Sequence, residues 1–135
     1  MQLFPKSHKR KKTKVPLKVL VDDTPTLIYR QIVGVERLPF ILHKKAKILD
    51  DDPDRVSISR NKWTVTHVFS GYSLGVYGSY EYCSAVANEL FDQPILYLPT
   101  PQMMANHPDF QTIYEHIENL KDKYYHLGGQ GAFGQ

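Results

Sequence analysis

In the stretch KWTVTHVFSGYSLGVYGSYEYCSAVANELF, residues 62–91, the apolar pattern changes its period from two to about 3.6. Alternation over 63–69 places Trp63, Val65, His67 and Phe69 on one face of a strand. Ser70-Gly71 supplies a tight turn, and 72–77 returns as the partner strand. Gly78-Ser79 then opens a helix, with Ser79 as its N-cap and Glu81 near the positive end of the dipole. Tyr82, Cys83, Val86, Ala87, Leu90 and Phe91 fall on one stripe of that helix, so 79–91 packs its apolar side on the hairpin.

Working outward toward the N-terminus, Val56 and Ile58 alternate with Ser57 and Ser59, and Arg60-Asn61 separates them from the strand that follows. Phe40-Ile41-Leu42 reads as another short strand, and 17–21 as the first one, with Pro16 fixing an extended entry. Asp22-Asp23-Thr24-Pro25 marks either a turn or a helix start. Residues 26–35 fit both a helix and a strand; their content of Ile, Val, Tyr and Thr favours the strand. On the other side, Asp92-Gln93-Pro94 ends the helix and 95–98 suggests an edge strand. Residues 101–106 fit one short helical turn. Phe110, Ile113, Tyr114, Ile117, Leu120 and Tyr124 recur at helical spacing over 108–125. The expected fold class is α+β: a small antiparallel sheet of about four to six strands, including the 63–69/72–77 hairpin, packed against two helices, 79–91 and 108–125. That domain spans 15–127, between a disordered basic arm, 1–14, and a flexible glycine-rich tail, 128–135.

A chain of 135 residues with 41% hydrophobic content supports one core and not two. No apolar run is long enough to span a bilayer, and no secretory signal pattern is present. The expectation is an intracellular protein, cytoplasmic, or nuclear in a eukaryotic cell. Cys83 is the one cysteine, which excludes an intrachain disulfide; its apolar neighbours imply a small buried hydrophobe. Charge is unevenly spread. Residues 1–14 hold six cations and no acid, a formal +6, whereas the remainder sums to −3, giving the net +3.

Lys6, Lys9, Arg10, Lys11, Lys12 and Lys14 form a density of positive charge suited to a phosphate backbone, RNA or DNA, with little sequence preference. The same run also fits a nuclear import signal or a solubilising tail. Lys44, Lys45 and Lys47 either extend that footprint or form a solvated strand edge that discourages pairing. Among the tyrosines near the hairpin, Tyr77 and Tyr80 are candidates for stacking or partner contact, while Trp63 and Tyr82 suit the core.

The acidic run 50–54 lacks the alternate ligand spacing, turn glycine and distal glutamate of a calcium loop, so it reads as a solvated loop, or as a contact for the arm together with Asp22 and Asp23. The six histidines show no metal-binding spacing; no metal and no cofactor are expected. His67 suits a hydrogen-bonded core position better than a catalytic one. The functional expectation is a non-enzymatic, nucleic-acid-associated accessory protein: the arm holds phosphates while the body docks on a larger assembly or dimerises. One alternative is a protein-binding adaptor or inhibitor, of phage or mobile-element type, acting through an acidic body. A lesser alternative is a small enzyme using His67.

Overall fold

The computed structural model describes residues 10–130. Six antiparallel strands form one sheet in which every strand lies beside its sequence neighbour: β1 (Lys11–Val21), β2 (Thr24–Arg37), β3 (Phe40–Ile48), β4 (Val56–His67), β5 (Ser73–Gly78) and β6 (Gly129–Gln130). Helices α1 (Tyr80–Asn88), α2 (Pro101–Ala105) and α3 (Phe110–Tyr124) complete an α+β fold. None of the helices among the described residues is long and apolar enough to cross a membrane.

The β1–β2 hairpin turns at Asp22 and Asp23, whose φ values of 49° and 62° lie in the left-handed region that a two-residue hairpin of the mirrored type requires. The Asp-Asp-Thr-Pro signal therefore marks a turn, and residues 26–35 are strand. β1 begins at Lys11, so Lys11, Lys12 and Lys14 of the expected arm belong to the sheet; residues 1–9 of that arm lie outside the described residues. Pro16 sits in β1, an edge strand, where a missing amide proton is tolerated.

β3 and β4 pair from Phe40↔His67 to Lys44↔Trp63, and again from Ala46↔Ile58. Four residues of β4 thus stand against one of β3. The break expected at Arg60-Asn61 is this bulge inside a single long strand, held by the Lys62 amide donating to Ser59 Oγ at 3.0 Å.

On one face of the sheet, Phe40, Leu42, Trp63, Val65 and Val76 pack against Tyr82, Cys83, Val86, Ala87 and Leu90 from α1 and Ile113, Ile117 and Leu120 from α3. The Val, Leu, Ile and Phe side chains among these each contribute roughly 1.5–3 kcal/mol through burial. Ser79 caps α1 as its sequence implies, accepting from the Tyr82 amide at 3.0 Å, but the helix ends at Asn88, short of residue 91. The run 95–98 is not an edge strand. Pro94 starts a 3-10 turn, Pro94–Tyr97, that drops Ile95 and Leu96 into the core, because proline favours a helical φ and offers no donor to a ladder.

β6 comes from the glycine-rich tail and pairs with β5 through Tyr77↔Gln130 and Gly78↔Gly129; residues 131–135 lie outside the described residues. Gly78 allows this approach, since a Cβ there would stand 2.2 Å from the Gly128 carbonyl oxygen.

The second face is covered differently. β2 pairs with β3 only over Gly34–Arg37, and the rest of the β1–β2 hairpin runs back over the sheet. Val15, Ile32 and Ile41 form a small second core there, joined by Leu17, Ala46 and Val68. Leu27 reaches the β4–β5 turn at Gly71, Lys18 reaches Tyr72, and Arg30 reaches the Pro53 carbonyl.

Candidate anion-binding surface

The cations singled out in the sequence separate into an open edge and two aromatic clusters. Lys6 and Lys9 lie outside the described residues. Lys11, Lys12 and Lys14 are exposed on edge strand β1, where Lys12, Lys14 and Lys18 share one face by alternation. Lys14 stands 5.0 Å from the centre of the Tyr29 ring.

In the first cluster, the Arg10 guanidinium lies 4.9 Å from the ring centres of both Trp63 and Tyr80, and Lys44 lies 5.0 Å from that of Trp63. Trp63 and Tyr80 meet edge to face at 5.0 Å. Lys44 also donates to the Arg60 carbonyl. Trp63 is buried, as expected, while Tyr80 is half-buried and its hydroxyl accepts from Arg37 at 3.1 Å. Arg37 itself is buried between β2 and α1, donating to Ser84 Oγ at 2.6 Å and Asn88 Oδ1 at 2.9 Å.

The second cluster surrounds a cavity of about 390 Å³ between the folded-back hairpin and the face of β3, β4 and β5. Lys18 donates to the Tyr72 hydroxyl and lies 3.7 Å from the centre of its ring. Lys45 stands 5.2 Å from the ring centre of half-buried Tyr77, whose hydroxyl bonds Ser73 Oγ at 3.0 Å. Lys47 completes the cationic lining. Because the β2 ladder stops at His43, residues 44–48 among the described residues pair only with β4, which leaves Lys45 and Lys47 facing this cleft.

His43 does not share the charge of the lysines beside it. It is buried, its Nδ1 donates to the Lys44 carbonyl at 2.7 Å, and its Nε2 accepts from the Thr66 hydroxyl at 2.7 Å. Burial pushes its pKa from 6.5 down to about 4, against the opposing pull of the Lys44 carbonyl, so the ring is neutral near pH 7. Directly across the ladder, Thr64 is equally buried, yet its Oγ1 has no hydrogen-bond partner among the described residues.

His67 lies on the other face of the sheet. Its Nε2 donates to the Leu96 carbonyl at 2.6 Å, and the Ser70 hydroxyl donates to its Nδ1 at 2.7 Å. Burial lowers its pKa, opposed by the bond to Leu96. Ser70 is buried and also accepts from the Tyr72 amide at 3.2 Å, so the pair braces the β4–β5 turn against the Pro94–Tyr97 segment. Next to it, an apolar groove of about 550 Å³ lies between β5, α2 and α3, flanked by exposed Phe110 and Tyr114.

The acidic loop is engaged locally: Asp50 pairs with Arg55 at 2.7 Å and Asp54 stands 4.0 Å from Arg30. Among the described residues, no group of three or more His, Cys, Asp or Glu converges as a metal site would require. Cys83 is buried in the helix-side core, where desolvation pushes its thiol up to about 12.

Sequence reasoning did not single out Lys18 or Thr64; Tyr72 is legible as one of the aromatics near the hairpin, and Arg37 as a cation near the lysine stretch, but neither for the contacts it makes. For the first two, only the alternation of Lys12, Lys14 and Lys18 along β1 carried a usable signal. In comparison with known proteins, no family model, no curated protein and no solved structure matches this chain.

Proposed function

We propose that this chain is a non-enzymatic nucleic-acid-associated protein that grips a phosphate backbone with the cations of β1 and β3 while its helical side docks on a larger assembly. The observation that carries this reading is that cations and aromatic rings are interleaved on the sheet: Arg10, Lys14, Lys18, Lys44 and Lys45 each stand over a ring. Binders of single strands combine a cationic track with stacking platforms in this way.

Charge segregation supports it. Residues 10–79 hold thirteen basic and seven acidic side chains, whereas 80–130 hold two basic and seven acidic. The sheet layer therefore attracts a polyanion and the helical layer repels it. Lys6 and Lys9 add to the same cationic end of the sequence.

A salt titration of binding to mixed-sequence single-stranded DNA and RNA tests the proposal. Affinity should fall steeply with salt, and Lys11→Glu with Lys12→Glu and Lys14→Glu, by removing three phosphate contacts, should flatten the slope by about two counterions. Failure of the unsubstituted chain to bind either polymer at low salt would overturn it.

A second reading, a protein-binding adaptor, is favoured by the apolar groove beside Phe110 and Tyr114 and by the net negative charge of residues 80–130 that surround it. The enzymatic reading has less support. Ser70 and His67 have their polar atoms engaged with each other, Tyr72 and Leu96, and among the described residues no carboxylate is bonded to His67.

A further inference from the structure

We infer that the cavity beneath the β1–β2 hairpin binds one nucleoside monophosphate unit, either free or at the end of a strand; this deepens the proposed function, on which it rests only for the source of the ligand. Three cations line the cavity, Lys18 from β1 and Lys45 and Lys47 from β3, and among the described residues no carboxylate does. Three uncompensated positive charges brought together under a folded hairpin repel one another. An anion placed among them removes that repulsion and gains charge-assisted hydrogen bonds.

Thr64 points independently to a ligand. Thr64 lines the same cavity, and its hydroxyl, withdrawn from solvent, has no partner among the described residues, although buried polar groups are nearly always satisfied. The adjoining Thr66 hydroxyl is committed as a donor to His43, so of the two threonines in the cavity lining Thr64 is the one whose hydroxyl is uncommitted. Lysine ammonium groups with rotatable donors, set around a fixed hydroxyl, suit the tetrahedral oxygens of a phosphate.

Size and lining extend the assignment beyond a bare oxyanion. A cavity of about 390 Å³ falls in the range of small organic ligands. Tyr72 and Tyr77 line it, each held beside a lysine, so charge and aromatic surface are presented together. A phosphate joined to a planar base needs both.

Calorimetric titration of the full chain with adenosine and uridine monophosphates, inorganic phosphate and the unphosphorylated nucleosides tests the site. The monophosphates should bind at least about tenfold more tightly than either fragment. Thr64→Val and the Lys45→Ala/Lys47→Ala pair should each weaken them by about tenfold or more, with thermal melting showing that both variants remain folded. Absence of monophosphate binding, equal binding of inorganic phosphate, or full affinity in both variants would each overturn the inference. Oligonucleotides with and without a 5′ phosphate identify the source: preference for the phosphorylated strand supports a strand end, and equal affinity alongside monophosphate binding supports the free nucleotide. Oligonucleotide binding without monophosphate binding overturns the pocket and leaves the surface reading standing; the reverse result upholds the pocket and overturns that reading.

Discussion

Thr64 faces His43 directly across the β3–β4 ladder, and of the two only the histidine has its side-chain hydrogen bonds made. A buried hydroxyl without a partner costs stability in the absence of ligand. Thr64→Val keeps the shape and removes the hydroxyl, so it should stabilise the free protein by about 1 kcal/mol and raise Tm by about 4 °C. Calorimetric melting checks this; a lower Tm would mean that the hydroxyl is satisfied within the fold. The same substitution is expected to weaken the ligand, a direct exchange of stability for binding.

Acid should destabilise the protein through its buried histidines. His43 is held at about 4 in the folded chain against 6.5 when unfolded, so between those pH values the unfolded state binds the extra proton. The histidine's stabilising contribution is complete above pH 6.5 and is lost as pH falls toward 4. For His43 alone, urea denaturation should show a loss of about 2 kcal/mol between pH 7.5 and 5, and His67, also lowered, adds in the same direction. His43→Gln should flatten the dependence. Equal stability at the two pH values would contradict the assignment of a neutral, buried ring.

Arg37 joins the sheet to α1 by bonds to Ser84, Asn88 and Tyr80. Arg37→Ala should cost about 2–3 kcal/mol in chemical denaturation, by removing charge-assisted bonds and leaving part-buried acceptors behind. Arg37→Lys should recover only part of this, since a single ammonium lacks the planar fork that reaches three partners. Full recovery by lysine would show that charge alone suffices.

Gly71 receives the tip of the hairpin. Its φ of +74° disfavours any side chain, and a Cβ would stand 2.3 Å from Leu27 Cδ2. Gly71→Ala should cost about 1–2 kcal/mol, and in a Leu27→Ala background the cost should shrink to the backbone part alone. Strict additivity of the two substitutions in a double-mutant cycle would argue against the contact.

The hairpin-to-helix unit was legible because its two periodicities differ sharply, and Ser79 marked the junction. Short apolar runs carry no period, which is why 95–98 read as a strand until Pro94 and the buried Ile95 and Leu96 showed a 3-10 turn. β6 was hidden because Gly129-Gln130 joins the sheet through backbone alone. For the candidate site, the exposed lysines of β1 could be read from composition. The cavity could not, since it depends on the hairpin bending back to bring Lys18 to Tyr72. His43 shares a face of β3 with Lys45 and Lys47, yet it is buried where β2 still pairs with β3, and the lysines lie beyond the end of that ladder. Burial under a neighbouring strand, which the sequence does not announce, decides whether such a residue carries charge.

The partial pairing of β2 also governs how the molecule breathes. Among the described residues no ladder ties residues 24–33 to any strand but β1, so the outer hairpin is anchored by side chains while β3 and β4 are anchored by main-chain bonds. Swinging that hairpin away from the sheet therefore sacrifices a small apolar contact and a few polar ones, but none of the backbone hydrogen bonds inside it. Hydrogen exchange alone would leave such an excursion silent at the hairpin's paired amides. It should appear instead as ligand-dependent protection of the side chains beneath the hairpin from covalent surface labelling.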